Sequence, residues 1–228
     1  IIKSLFVIFL GTVILTISAK IKVPFYPVPM TMQTFVVVLI GVTLGWKLGV
    51  ATVFAYLFEG AIGIPVFAGT PEKGLGVAYL MGPTGGYLFG FLVATYVAGS
   101  FKYDNCFDSQ KFKLAKENLS FFLAFRSAIT LPYKNIIKLI FSVSFIYIFG
   151  LLWLGFLVGW DKPIFQLGAY PFLLAELFKM LILAYVAGFF CKVKKIIFAS
   201  SGSVYGVRKE KKVNENMKWL GEFKLLFC

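Results

Sequence analysis

No histidine occurs anywhere in the 228 residues, and acidic residues number only 10. Without histidine, Ser-His-Asp nucleophiles and the common zinc patterns are excluded. The three cysteines (Cys106, Cys191, Cys228) lie far apart without metal-ligand spacing, which excludes a disulfide framework as well. Glycine is plentiful, yet the phosphate-cradling forms Gly-x-Gly-x-x-Gly between a strand and a helix, or Gly-x-x-x-x-Gly-Lys-Ser/Thr, are missing. The chain therefore has no site of its own for hydrolysing ATP. Charge of either sign is scarce, at 14% of residues, against about 25% in ordinary soluble domains.

Apolar residues make up 59% of the chain and mean hydropathy is +0.85. Such a composition suits a chain whose outer face meets lipid rather than water. The net charge of +13 would suggest nucleic acid only if the basic residues formed one face of a soluble domain. They lie instead in the gaps between apolar runs, so no nucleic-acid partner is expected.

Six apolar runs qualify as spanning helices: 4–19, 31–46, 48–67, 83–100, 138–159 and 170–190. The expected fold is all-α, a polytopic membrane protein with six transmembrane helices. The first run is short and opens without methionine, the pattern of a segment whose start is absent; a cleaved signal peptide fits less well because no small-residue cleavage site follows. Turn chemistry separates the runs, in PFYPVP, GTPEKGLG and WDKP. The polar connection 101–137 contains an apolar patch, FFLAF, too short to span. Residues 1–192 form the membrane domain and 193–228 a basic tail.

Basic residues set the orientation. Eighteen fall on the side shared by the N-terminus, the 46–48 turn, the 101–138 loop and the tail, and four fall on the other. Both termini are thus expected in the cytoplasm, with Lys73 and the Gly/Pro-rich loops outside.

Two features carry functional weight. The stretch Gly69–Phe91, GTPEKGLGVAYLMGPTGGYLFGF, holds seven glycines and two prolines. It reads either as a helix cap plus a seam for close helix packing, or as a loop folded over a small-molecule site. The second feature is charge at membrane depth, which is expensive and marks function by default. Glu59 lies in the third run, and Glu176 and Lys179 in the sixth, the latter two sharing a helical face at i, i+3 spacing. The pair is either a self-contained ion pair that fixes packing or a clamp offering an acceptor and a donor to a ligand.

Several segments in order resemble the BioY family of biotin transporters, substrate-binding (S) components of energy-coupling factor (ECF) importers. They are Ala19–Pro24, Pro27-Val28-Pro29-Met30-Thr31-Met32-Gln33-Thr34, Gly63–Gly69, Gly82-Pro83-Thr84-Gly85-Gly86-Tyr87 and Tyr147–Leu154, together spanning about residues 5–190. The resemblance implies a six-helix protein of the plasma membrane that captures biotin from outside, with no enzymatic activity and no cofactor. It implies a coupling transmembrane protein and ATPase subunits as partners, with the small residues Gly11, Ser18 and Ala19 of the first helix as contacts for the coupling subunit or as plain helix packing. The implied pocket draws on Gly69, Lys73, Tyr79, Gly85, Gly86, Tyr87, Glu59, Trp153, Glu176 and Lys179. Two departures stand out. The family's usual Gly-Asp-x-x-Lys reads Ala175-Glu176-Leu177-Phe178-Lys179 here, and an arginine that some members place after Gly-Gly-Tyr is Leu88. With that arginine gone, the ligand's carboxylate is expected on Lys73 or Lys179. The tail segment Lys195–Val207 is similar to the central strand and serine motif of extended short-chain dehydrogenases. The chain lacks their Tyr-x-x-x-Lys pair and nucleotide site, so the tail is expected to be an extension without enzymatic role. The rival readings are a membrane scaffold with a structural ion pair, or a membrane enzyme acting on another small molecule.

Overall fold

The computed structural model describes residues 2–23, 28–70, 74–104 and 132–204, with the backbone alone at Lys3 and from 189 onward. Helix α1 (Ile2–Lys20) leads into a short antiparallel hairpin, β1 (Lys22–Val23) and β2 (Met30–Thr31), with Lys22 opposite Thr31. Then follow α2 (Gln33–Ala61), α3 (Val77–Leu80), α4 (Gly85–Ser100), α5 (Tyr133–Val158), α6 (Ile164–Gly168), a 3₁₀ turn at Tyr170–Phe172 and α7 (Leu173–Val204). The all-α expectation holds, with the small hairpin added.

Helix α2 is two helices folded back on one another. At Gly45 the backbone takes φ 77° and ψ 173°, a conformation closed to other residues in practice. Gln33 and Tyr56, 23 residues apart, are joined by a 2.8 Å hydrogen bond. A straight helix would hold them about 35 Å apart at 1.5 Å per residue. The arms 33–44 and 46–61 are thus the second and third apolar runs, the arms being about 18 Å and 24 Å long. The third run stops at Ala61 rather than at 67, because Gly63 adopts φ 102° and Pro65 follows. The last run is longer than expected: α7 continues as helix through 195–204, into the tail.

Helix α2 packs between α1 and α4, α4 packs on α5, and α7 closes the group against both α5 and α2. Connections alternate between two ends. At one end Lys20 Nζ donates to the carbonyl oxygens of Phe67 and Thr70, Trp153 Nε1 to Gly82 O and Tyr87 Oη to Gly168 O. At the other, Asn135 grips the backbone of Asp104. Large apolar side chains cover the outside, among them Phe9, Phe54, Phe89, Phe156 and Phe178, each more than half exposed. Water would penalise such a surface and lipid would not. Helix α5 and the run Ile164–Gly188 are each long and apolar enough to cross a membrane, α2 reaches that length only with its two arms counted together, and 4–20 and α4 are shorter apolar helices.

On α1 the small residues face inward. Gly11, Ser18 and Ala19 are buried, and a side chain at Gly11 would meet Thr52 of α2. They serve packing within the chain.

Candidate functional site: a buried carboxylate under a lysine-tied cap

The hairpin strands and the loop residues 62–70 and 74–76 form a cap at the first of these two ends. Two lysines tie it down. Lys20 Nζ reaches Phe67 O (3.0 Å), Thr70 O (3.3 Å) and Thr70 Oγ1 (3.2 Å), and Lys22 Nζ reaches Ala68 O (2.9 Å). Aromatic rings pack beneath. Phe67 stacks on Tyr79 at 4.9 Å and meets Tyr56 edge-on at 5.5 Å. Tyr79 Oη accepts from the Gly69 amide (3.1 Å), while Tyr56 Oη accepts from Gln33 and donates to Val66 O (3.1 Å).

Under the cap lies a cavity of about 60 Å³. Its walls come from the hairpin (Met30, Thr31), the start of α2 (Gln33, Thr34), the cap (Phe67, Ala68), Tyr79 of α3, Thr84 before α4, α4 itself (Tyr87, Leu88, Phe91), α5 (Ile146, Tyr147) and Phe172. Among the described residues its one charged wall residue is Glu176, in the first turn of α7, where the helix N-terminus favours a negative charge.

Glu176 is 6% exposed. Its Oε1 accepts from Thr34 Oγ1 (2.8 Å) and from Lys179 Nζ (2.8 Å). Lys179 also donates to Thr31 O (2.7 Å) and Thr34 Oγ1 (3.1 Å), so its three N–H groups are all committed. The other carboxylate oxygen is different. Oε2 is buried and has no hydrogen-bond partner among the described residues. Leaving a buried acceptor unsatisfied costs about 1–3 kcal/mol, and more when it is charged. Tyr147 stands beside the same carboxylate and interacts with it electrostatically. The cavity therefore offers one strong acceptor, set among aromatic and aliphatic walls, to a ligand that brings its own N–H or O–H.

The residues expected from the sequence are distributed unevenly around this cavity. Glu176, Tyr79 and Tyr87 line it, and Tyr87 is fixed by donating to Gly168 O (2.9 Å). Gly69 holds Tyr79 from behind. Lys179 is next to Glu176 but off the wall, spent on its three acceptors. Gly85 and Gly86 belong to the α4–α5 seam. A side chain at Gly86 would collide with Trp153 and the Phe149 carbonyl, and one at Gly85 with Leu80. Trp153 packs into that seam and caps Gly82 O rather than facing the cavity. Glu59 is half-buried near the end of the second arm of α2 and is not on the wall. Lys73 lies outside the described residues, as do FFLAF and the tail beyond 204.

Thr34, Gln33 and Tyr147 lie in the segments that carry the resemblance but were not among the expected pocket residues. A signal existed: Thr31-Met32-Gln33-Thr34 places three hydrogen-bonding side chains at the head of an otherwise apolar run. That is where membrane helices put polar groups only for a reason.

The BioY family model matches residues 2–196. A probable biotin transporter BioY from Pyrococcus horikoshii is 32% identical over 177 residues, covering 78% of this chain and 89% of the relative. The biotin transporter BioY of Thermotoga maritima is 34% identical over 176 residues, covering 77% and 88%. Among solved structures, the S-component for biotin from an ECF-type ABC transporter superposes with a TM-score of 0.58 at 24% identity, over 85% of this chain and 92% of that one. That likeness establishes the fold. With the match running from α1 into the distal part of α7, and with full-length relatives at this identity, the chain belongs to the BioY family.

Proposed function

We propose that the chain takes up biotin, as the high-affinity binding component of an ECF-type importer in the plasma membrane. The observation that carries this reading is the unpartnered Oε2 of Glu176 on the wall of a largely apolar cavity. Biotin has a ureido ring with two N–H donors and a thioether ring that suits aromatic and aliphatic walls. A ureido N–H donating to Oε2 would supply the missing hydrogen bond, and a charge-assisted one. A purely structural ion pair accounts for the contacts of Lys179 but leaves Oε2 unexplained. The family of transporters, the relatives' names and the absence of an ATP-hydrolysing motif support partner subunits, a coupling transmembrane protein and ATPases, as the source of energy. The chain itself acts as a transport component and not as an enzyme.

The apolar helices and alternating connections support six crossings of the bilayer. The charge bias supports cytoplasmic termini and an outward cap. Residues 1–192 would form the membrane domain, and the basic tail after them would not fold as a unit of its own. Radiolabelled biotin should bind saturably to the detergent-solubilised protein and be displaced by unlabelled biotin. Absence of displaceable binding rejects the reading. A cysteine placed at position 73 should react with an impermeant reagent on intact cells while one at 116 stays protected. The reverse pattern would invert the topology.

A further inference from the structure

We infer that Lys22 is the residue that recognises the carboxylate of the anionic ligand, at the mouth of the cavity. This inference rests on the biotin reading above. A carboxylate cannot lie deep in the cavity beside Glu176, because two buried like charges repel strongly and Lys179 has no N–H left to serve a second anion. Position 88, on the cavity wall, holds leucine and supplies no cation. The anionic end of the ligand must therefore point outward.

At the mouth, two lysines touch the backbone of the cap. Lys20 meets three acceptors in Phe67 and Thr70. Lys22 is exposed and donates to Ala68 O, and its remaining N–H groups have no partner among the described residues. Both neighbours of Lys22, Ala68 and its cross-strand partner Thr31, line the cavity. Thr31 O in turn accepts from Lys179, which holds Glu176. A short relay of contacts thus joins the acceptor inside to the cation at the rim. A ligand with hydrogen-bond donors at one end, a short alkyl chain and a carboxylate at the other matches both ends at once. The ammonium of Lys22 can hold that carboxylate without releasing Ala68.

The test compares biotin with its uncharged primary amide, on the full chain and on Lys22→Gln, at low ionic strength. The unaltered protein should prefer biotin. In Lys22→Gln, biotin should bind about fivefold more weakly, the upper end for a solvent-accessible ion pair, while the amide is unaffected. Raising salt should erode the preference of the unaltered protein and leave that of the variant unchanged. Equal weakening of both ligands would show that Lys22 only ties the cap down, and would overturn the inference. So would an intact preference in Lys22→Gln; Lys73→Gln, measured in parallel, would then show whether the carboxylate sits there. Failure of both ligands to bind the unaltered protein would reject the biotin reading itself, and this inference with it.

Discussion

Two buried polar groups, one toward each end of the bundle, are treated in opposite ways. Asn135, fully buried at the start of α5, donates through Nδ2 to Asp104 O (2.8 Å) and accepts through Oδ1 from the Asp104 amide (2.9 Å). Glu176, at the start of α7, has one oxygen bonded twice and the other not at all. The first arrangement closes a loop and asks nothing of the surroundings. The second holds a charge in place and leaves its bonding capacity incomplete. Burial alone does not separate the two roles, since both residues are hidden. What separates them is whether the hydrogen bonds close within the chain.

Breaking the open arrangement should have the largest effect. Glu176→Gln and Lys179→Ala each remove one partner of a desolvated charge pair, at a cost of about 2–5 kcal/mol. Biotin affinity in equilibrium binding should fall roughly 30-fold or more, at about 1.4 kcal/mol per tenfold. Glu176→Asp, which restores the acid usual in the family, should be tolerated far better. Unchanged affinity in both disruptive variants, at normal membrane levels, would make the pair structural like Asn135.

Thr34 sharpens the same contrast. Its hydroxyl donates to Glu176 Oε1 and accepts from Lys179, so it selects which oxygen stays open. Thr34→Val should cost about 1.5–3 kcal/mol of hydrogen bonding to charged groups, read as a loss in affinity of roughly tenfold to a hundredfold. Thr34→Ser should recover most of it. If serine and valine behave alike, the hydroxyl is not what orients the carboxylate.

The closed arrangement should respond differently. Asn135→Ala strands the backbone groups of Asp104 and should lower stability by about 1–3 kcal/mol, seen as a drop in melting temperature in detergent. Biotin affinity, measured well below that temperature, should not move. A matching loss of affinity would mean that the two ends are coupled. The smallest effect is expected from truncation after residue 195, which should leave both insertion and binding as they are.

Much of the fold was legible because membrane helices announce themselves by length and apolarity. All six apolar runs are represented by helix, and their limits differ where glycine and proline set the stop, as at Gly63 and Pro65. The i, i+3 spacing was enough to place Glu176 and Lys179 on one face. It could not reveal that Thr31, 148 residues away in sequence, brings a carbonyl oxygen to Lys179 and turns it away from the cavity. The glycine-rich stretch was legible only by halves. Gly85 and Gly86 form the packing seam, and Tyr79, Thr84 and Tyr87 from the same stretch reach the cavity wall. Spacing does not say which residue does which, because that depends on Trp153 arriving from another helix.

The turn at Gly45 has a consequence for the bilayer itself. The hydrocarbon core of a membrane is about 30 Å thick. The arms of α2 reach only about 18 Å and 24 Å, and α4 beside them about 24 Å. Trp46 and Tyr96 are in edge contact at 5.7 Å with the Lys47 ammonium over the Trp46 ring, the residue types that favour the headgroup level. A wall this low is accommodated by thinning the lipid next to it. A bilayer of shorter-chain lipid would fit that side of the protein with less distortion than a thick one.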